Sequence, residues 1–277
     1  MLTLAALTDT LFHILWAALR VGGMVMVAPV LGAMFVPNRV RLLITLVLSF
    51  AMLPAVGQLP AYSPLSLPGL LAVGQELLIG LAIGFLLKIA IEAAVLGGQI
   101  VSSGTGLSFA MVVDPQSGGI PLLGRFYLII ATLLMLAANA HLQLIQVLAG
   151  SFALVPVGSG GLDVADGRLV ANFAGVMFVG ALKLALPSVV AMLMVNVAFG
   201  IISRAAPTLN LFAVGFPITL VFGLVIIIVG LPALQTSFMD LMRDALALMR
   251  TIKRALDPDD LLNPGKVLPP EIPPAGG

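Results

Sequence analysis

The sequence contains no cysteine, one tryptophan and only two histidines among its 277 residues. Without cysteine the chain forms no disulfide, has no thiolate nucleophile and offers no sulfur ligand to a metal. The two histidines, His13 and His141, lie far apart in the chain, whereas a metal site needs about three or four converging donors. We therefore expect no metal site.

Charged residues are also scarce, at 9% of the chain, while 60% of the residues are hydrophobic. Soluble domains carry about 25% charged residues, so the surroundings of this chain are mostly lipid or other apolar protein. The net charge of +1 gives no reason to expect a nucleic-acid partner. The sequence shows no phosphate-binding glycine-lysine loop, no Ser/His/Asp arrangement and no pair of facing acids, so we expect neither an enzyme nor a cofactor.

Six apolar stretches approach or exceed the roughly 20 residues that a helix needs to span a bilayer. They cover residues 11–36, 40–56, 70–101, 126–149, 169–202 and 211–234. The third and fifth stretches exceed what a hydrocarbon core of about 30 Å requires, which indicates either a steep tilt or projection into a larger assembly. The sequence predicts an all-α membrane protein with about six long helices.

The last two apolar stretches are predicted to form a helical hairpin. Pro207 interrupts them, so we expect a turn that includes Arg204, Pro207 and Asn210. Residues 240–256 combine a charged face with a face of leucine and methionine, which is typical of an amphipathic helix. Six prolines follow from residue 257 onward, so we expect the tail at 256–277 to be disordered.

Three charged residues, Glu76, Lys88 and Glu92, interrupt the third apolar stretch. A charge at membrane depth costs roughly 2.5–3.5 kcal/mol, so we expect these side chains to face protein or water. Lys88 and Glu92 are one helical turn apart, which allows an internal ion pair, pairing with another subunit or a place in a wet pore wall.

Two further features of the apolar stretches concern helix packing. Arg20 lies inside the first stretch and requires a partner that the sequence alone does not identify. Gly80 and Gly84 form a GxxxG pattern in the third stretch, and small residues at this spacing let two helix backbones approach closely. We expect a tight helix–helix contact at these glycines.

One segment between the third and fourth stretches lacks a helical pattern. Residues 107–113 are apolar apart from Ser108, whereas the Asp-Pro pair at 114–115 and the Gly-Gly pair at 118–119 interrupt a helix. The apolar part is too short to span a bilayer, and irregular backbone at membrane depth is tolerated only where it is buried in protein or lines a water-filled cavity. Two interpretations remain open at this point, a pore-plugging re-entrant loop and an external loop that packs on its own helices.

Four segments, in this order and at this spacing, resemble the FliR family of flagellar biosynthetic membrane proteins, which is related to the SctT proteins of virulence type III secretion. They are APVLGAMFVPNRVRLLITLVLSFAMLP (28–54), GQELLIGLAIGF (74–85), GTGLSFAMVVDPQSGGIPLLGRF (104–126) and NVAFGIISRAAPTLNLFAVGFPITLVFGL (196–224). The resemblance runs from residue 1 to about residue 255 and leaves out the proline-rich tail.

The resemblance implies a component of the flagellar type III protein export gate, in the bacterial inner membrane at the basal body. One copy of the chain would join FliP-like and FliQ-like subunits, next to FlhB-like and FlhA-like export proteins. Together they would form a channel for unfolded flagellar subunits. Residues 1–255 would form one membrane domain, with a FliP-like part at 1–155 and a FliQ-like hairpin at 165–255.

In this family the loop that matches residues 106–121 projects into the channel as a plug, which favours the pore interpretation. The predicted plug residues are Gly106, Leu107, Phe109, Met111, Val112, Asp114, Pro115, Gln116, Gly118 and Gly119. Two alternative functions are a virulence type III secretion gate and a secondary transporter with a broken helix at 102–125. Transporters usually repeat such breaks in both halves, and only one half of this chain contains one.

Overall fold

A computed structural model describes residues 4–33, 35–105, 121–159, 164–205 and 211–256. All regular structure in these ranges is helical, which confirms the predicted all-α class. The α-helices are α1 (Leu4–Val27), α2 (Asn38–Met52), α3 (Leu67–Gly104), α4 (Leu122–Ala137), α5 (Ala140–Leu154), α6 (Val164–Ala205) and α7 (Leu211–Leu256). A short 3₁₀ turn, Leu53–Ala55, follows α2 and packs against α1, α2 and α5.

Five helical segments of the described chain are long and apolar enough to cross a membrane. They are Ala6–Val27, Asn38–Ala55, Leu67–Gly104, Gly175–Ile202 and Pro217–Ala245. The bent pair α4 and α5 adds a sixth crossing if the two helices are taken as one span. The prediction of about six apolar helices is confirmed, and the chain is a multi-pass membrane protein.

The fourth apolar stretch was expected to be one helix over residues 126–149, and this expectation is wrong. The structure contains two helices, α4 and α5, that meet at an angle of 63°. Asn139 lies between them with φ 55° and ψ 24°, in the left-handed region. Asparagine is one of the few residues other than glycine that adopt this conformation routinely, and a right-handed helix does not continue through it.

The first apolar stretch also ends earlier than expected. It was predicted to continue to residue 36, but α1 ends at Val27 and a turn follows. Val30 in this turn has φ 66°, an unusual conformation for a β-branched residue, so the helix cannot extend through this position. The last apolar stretch, in contrast, continues further than expected. The amphipathic segment 240–256 is the end of α7 and not a separate helix.

The chain forms two compact units. The first unit comprises Met1–Lys88, Ala138–Phe173 and Asp244–Gly277. Its core contains large apolar side chains from α1 and α5 that are almost fully buried, namely Trp16, Met24, Leu148 and Phe152.

The second unit comprises Ile89–Ala137 and Ala174–Arg243. One buried cluster joins α3, α4, α6 and α7 and consists of Val101, Leu123, Ala185 and Ile227. Outside this cluster, many large apolar side chains of α6 and α7 are exposed. A surface of this kind requires lipid or other apolar protein as its neighbour.

Candidate functional site

Arg20 on α1 lies in the interior of the first unit and is paired with Glu76 on α3. The Arg20 Nε atom donates to Glu76 Oε2 at 2.7 Å, and Nη2 donates to Oε1 at 3.0 Å. The relative exposure is 0% for Arg20 and 2% for Glu76. This two-point geometry is the strong form of an arginine–carboxylate contact, and it identifies the partner that Arg20 requires.

The same guanidinium reaches the C-terminal end of α5. Its Nη1 atom donates to Ser151 Oγ at 3.1 Å, and Nη2 donates to the carbonyl oxygen of Val155 at 2.8 Å. The guanidinium carbon lies 4.4 Å from the centre of the Phe152 ring, within the range of a cation–π contact. The carbonyl groups at a helix C-terminus carry partial negative charge, so Arg20 joins α1, α3 and α5 by complementary electrostatics.

Close backbone packing surrounds the Arg20–Glu76 pair. Gly80 on α3 faces the carbonyl group of Arg20 so closely that a Cβ atom has no room there. A Cβ atom at Gly84 would lie 2.7 Å from the carbonyl oxygen of Met24. The tight contact expected from the GxxxG pattern is therefore confirmed, and its partner is α1.

Lys88 and Glu92 occupy different surroundings from Glu76. Lys88 is half-buried and Glu92 is exposed on the chain. Neither residue takes part in an ion pair among the described residues, so the intrahelical pair allowed by their spacing is not formed within this chain. The roles of Glu76, Lys88 and Glu92 in assembly stay predictions.

The predicted plug residues from Gly106 to Gly119 lie outside the described residues, as do Pro207 and Asn210 of the hairpin turn. Arg204, the third predicted turn residue, lies in the last turn of α6 and is exposed. The structure does describe both ends of the loop, Thr105 after α3 and Pro121 before α4.

Both ends of the loop are fixed to the core of the second unit. Near the first end, a Cβ atom on Gly98 of α3 would lie 2.7 Å from the carbonyl oxygen of Leu123 and 3.0 Å from the Cα atom of Gly124. The backbones of α3 and α4 are therefore in direct contact at Gly98, about two helical turns before Thr105, and at Leu123 and Gly124 in the first turn of α4. Val101 and Leu123 also share the buried cluster with α6 and α7. The described residues on both sides of 106–120 thus belong to one packed group of helices.

Sequence reasoning missed three parts of this arrangement. The pairing of Arg20 with Glu76 spans 56 residues, and the contribution of Ser151 comes from a third helix. The contact of Gly98 with α4 was also missed, although the pair Gly97-Gly98 was a visible signal of close packing. The signal for the ion pair was a basic residue in one apolar stretch and acidic residues in another. Several acidic residues were equally plausible partners for Arg20.

The arrangement has no features of a catalytic or metal site. Among the described residues no group of three or more His, Asp and Glu side chains is placed to hold a metal ion. Buried charge instead joins helices, small residues set their spacing, and long apolar faces remain open to neighbours. These properties define the class as a multi-pass, all-helical membrane protein whose polar groups serve packing.

Comparison with known families places the chain within this class. The family described as bacterial export proteins, family 1, matches residues 11–245, which is most of the sequence. The chain belongs to this family. It is a non-enzymatic component of the flagellar type III export apparatus.

Curated relatives agree with this family over most of the chain. The chain is 37% identical to the flagellar biosynthetic protein FliR of Escherichia coli (strain K12) over 212 residues, which are 76% of this chain and 80% of the relative. It is 30% identical to the FliR protein of Caulobacter vibrioides over 243 residues, which are 86% of this chain and 96% of the relative. The FliR protein of Aquifex aeolicus is 27% identical over 236 residues, 85% of this chain and 92% of the relative.

A second family, described as FAD linked oxidases, C-terminal domain, matches residues 232–267. This short match covers the end of α7 and continues beyond the described residues. Within α7 the matched stretch is part of an apolar and then amphipathic helix, a pattern that many unrelated proteins share. It carries no argument for a flavin.

Proposed function

We propose that the protein forms part of the wall of a protein-conducting channel for unfolded flagellar subunits, and that residues 106–120 form its resting seal. The observation that carries this proposal is the fixation of both loop ends in the four-helix cluster of the second unit. A loop that closes a pore needs both of its ends held by the helices of the channel wall. The packing of the residues on both sides of 106–120 in one helix cluster supports that role.

The exposed apolar surface supports an assembly with unlike subunits. We propose FliP-like and FliQ-like partners around one copy of this chain, with FlhB-like and FlhA-like export proteins beside them, in the inner membrane at the flagellar basal body. Residues 1–155 would supply a FliP-like part, and residues 165–255 a FliQ-like hairpin made of α6 and α7. The curated relatives are flagellar proteins, which favours the flagellar system over a virulence gate. The mass of the intact complex extracted in detergent tests the partners and the copy number.

Deletion of residues 109–118 tests the proposed seal. The deletion leaves both anchored ends in place, and loop backbone contributes little to helix packing, so the complex should assemble at normal yield. We expect the purified complex to conduct ions at rest in planar bilayers, and expressing cells to grow poorly in high salt. Asp114→Ala should produce a smaller leak, because it loosens the turn without removing the apolar residues.

One result of the deletion experiment would contradict the proposed seal. If the deletion variant assembles normally and conducts no more than the wild type, the loop does not seal the channel. The loop then packs outside the channel, as the other interpretation of the sequence held. The yield of complex, measured beside conductance, separates a leaking channel from a poorly assembled one.

A further inference from the structure

Lys183 is a charged residue on the exposed surface of an apolar helix. It lies in α6, inside the segment Gly175–Ile202 that is long and apolar enough to cross a membrane. It is exposed and takes part in no ion pair among the residues that the structure describes. A charge at membrane depth is unfavourable unless it meets water or an opposite charge. Lys183 therefore requires a partner that the described residues do not supply.

The packing of α6 in the second unit determines the direction in which Lys183 points. Ala181 and Ala185 are both 0% exposed. Each lies two positions from Lys183, which is a rotation of about 200° around an α-helix, so Lys183 is on the opposite face. A Cβ atom on Gly97 of α3 would lie 3.2 Å from the carbonyl oxygen of Ala181 and 3.2 Å from Cβ of Leu184. The buried face of α6 is therefore held against α3, and Lys183 faces away from that contact.

Large apolar side chains surround Lys183 on the exposed face of α6. They recur every three or four residues, which is the spacing of one stripe along a helix. The stripe consists of Val179, Leu182, Leu186, Val190, Leu193 and Val197. Lys183 and Arg204 are the only charged residues between positions 169 and 239 of the sequence. Lys183 is therefore a single positive charge on a surface suited to packing against another apolar helix.

Pro187 adds a second polar feature to the same face. It lies inside α6, one turn after Lys183, and it is exposed. Proline has no N–H group, so the carbonyl oxygen of Lys183 lacks the donor that an α-helix normally supplies four residues later. At membrane depth such a carbonyl group is served by side chains of neighbouring helices or by water, because acyl chains contain no donor. Position 183 thus offers both a donor, the ammonium group, and an acceptor, the carbonyl oxygen.

Lipid and a second copy of the chain suit this face less well than an unlike subunit. A lipid phosphate group offers the negative charge but no donor for the carbonyl oxygen. A symmetric contact between two copies through this face would place one Lys183 beside the other, because α6 and α7 contain no acid between positions 169 and 239. A helix of an unlike subunit can present a carboxylate and a donor together.

We propose that the face of α6 around Lys183 binds a transmembrane helix of an unlike subunit, and that this helix carries one carboxylate at the depth of Lys183. A hydroxyl or amide donor on the same helix serves the carbonyl oxygen that Pro187 leaves without its usual partner. The stripe supplies the packing surface, and the ion pair fixes the depth and rotation of the bound helix. This inference rests on the proposed function, from which it takes the unlike subunits, and it adds the chemistry that recognises one of them.

The first test is Lys183→Met in the complex extracted with its partner subunits. The side chain is exposed in the chain, so the amount of chain in the membrane should not change. We expect a roughly tenfold drop in partner subunit recovered per tagged chain, the factor to which about 1.4 kcal/mol corresponds. Immunoblots of membranes and of the purified complex measure the two quantities.

Two control variants separate charge from shape. Lys183→Arg keeps the positive charge and should keep most of the recovery, because a guanidinium group also pairs with a carboxylate. Leu182→Met changes the shape of a neighbouring side chain without changing any charge, and it should be recovered like the wild type. If Leu182→Met is lost as strongly as Lys183→Met, the effect is general packing and the role of the charge is overturned.

The second test identifies the occupant in the wild-type complex. A membrane-permeant carbodiimide joins an amine to a carboxylate in contact with it, with the loss of water, and mass spectrometry of the peptides names both residues. We expect Lys183 to be joined to an Asp or Glu side chain in a transmembrane helix of an unlike subunit. This measurement also decides the question if Lys183→Met fails to accumulate in the membrane.

The other results overturn the proposal. A crosslink from Lys183 to Glu92 of a second copy identifies a like subunit, and the absence of any Lys183 crosslink excludes a carboxylate partner. Normal subunit recovery with loss of bound phospholipid in the mass of the Lys183→Met complex identifies a lipid headgroup.

The mass of the wild-type complex separates this inference from the proposed function. If it contains only copies of this chain, the proposed assembly and this inference both fail. If it contains unlike subunits that Lys183→Met retains in full, only this inference fails.

Discussion

The carboxylate of Glu76 accepts two hydrogen bonds from the guanidinium of Arg20, and neither side chain has appreciable contact with solvent. Desolvation of a buried ion pair offsets much of its Coulomb attraction, so the intact pair adds little net stability. Removal of one partner has a larger effect, because the other charge then stays buried without compensation. We expect the pair to select one arrangement of α1 on α3 over others.

Arg20→Met should destabilise the chain by about 3–5 kcal/mol, because Glu76 keeps a buried charge without a partner. The double variant Arg20→Met with Glu76→Met should recover much of this loss. The temperature at which the tagged chain aggregates in detergent extracts of membranes measures both effects. Equal aggregation temperatures for the single and double variants would show that the two side chains are not coupled.

Arg20→Lys should fall between the wild type and Arg20→Met. Lysine keeps the positive charge but lacks the planar fork that serves Glu76, Ser151 and Val155 at the same time. We expect a loss of about 1–3 kcal/mol, the usual cost of leaving buried polar groups unpaired. The same aggregation measurement applies, and a lysine variant as stable as the wild type would mean that charge alone matters.

Gly80→Ala should reduce the amount of folded chain in the membrane, whereas Gly74→Ala should not. Both glycines lie in α3, but Gly80 faces the backbone of Arg20 and Gly74 has nothing within 4 Å. Overpacking in a tight contact typically costs about 1–3 kcal/mol, while alanine at a helical glycine with open space beside it gains helix propensity. Quantitative immunoblotting of membrane fractions compares the two. Similar losses in both variants would contradict the close packing of α1 and α3.

Asn139→Gly should be tolerated, and Asn139→Val should destabilise the bend between α4 and α5. Position 139 has a left-handed backbone, which glycine adopts freely and which costs other residues about 1–2 kcal/mol. Protease resistance of the chain in isolated membranes reports the change. A valine variant as resistant as the wild type would show that the backbone at this position readily takes another conformation.

Glu92→Gln should lower the recovery of complex without changing the stability of the chain itself. Glu92 is exposed and has no ion pair among the described residues. Its negative charge at membrane depth therefore requires a cation or a polar group of a partner subunit, or water. Co-purification with the partner subunits and the aggregation temperature of the chain measure the two effects separately. Normal recovery of complex would indicate that Glu92 faces water in the assembly.

Hydrophobicity alone predicted the all-α class and the approximate position of each span, because the bilayer requires long apolar helices. It did not predict the bend at Asn139. The surrounding sequence, AANAH, contains neither glycine nor proline, and left-handed asparagine depends on tertiary packing that local pattern does not show. The early end of α1 differs, because Pro29 follows Val27 by two residues and a helix commonly ends shortly before a proline, so a local signal was present and was overlooked.

The sequence predicted that charged residues of the candidate site are buried, but it did not predict which residues pair with each other. Burial of Glu76 followed from the cost of a charge in an apolar stretch, yet nothing local distinguished its partner from other basic residues. A contact between two residues that are 56 positions apart depends on how the helices pack. A single sequence contains no fixed spacing that predicts such a contact. Gly98 belongs to the same category, because a glycine shows that something approaches closely without showing what.

The Arg20 network also has a consequence for the order of events during synthesis. Arg20 lies in α1, which leaves the ribosome before its partners in α3 and at the end of α5. Until residue 155 has been made, α1 carries a guanidinium whose full set of acceptors does not yet exist. A charge at membrane depth without partners costs roughly 2.5–3.5 kcal/mol. We therefore expect α1 to reach its final position only after α3 and α5 have been made. A helix made before its partners would then be among the last to reach its final place.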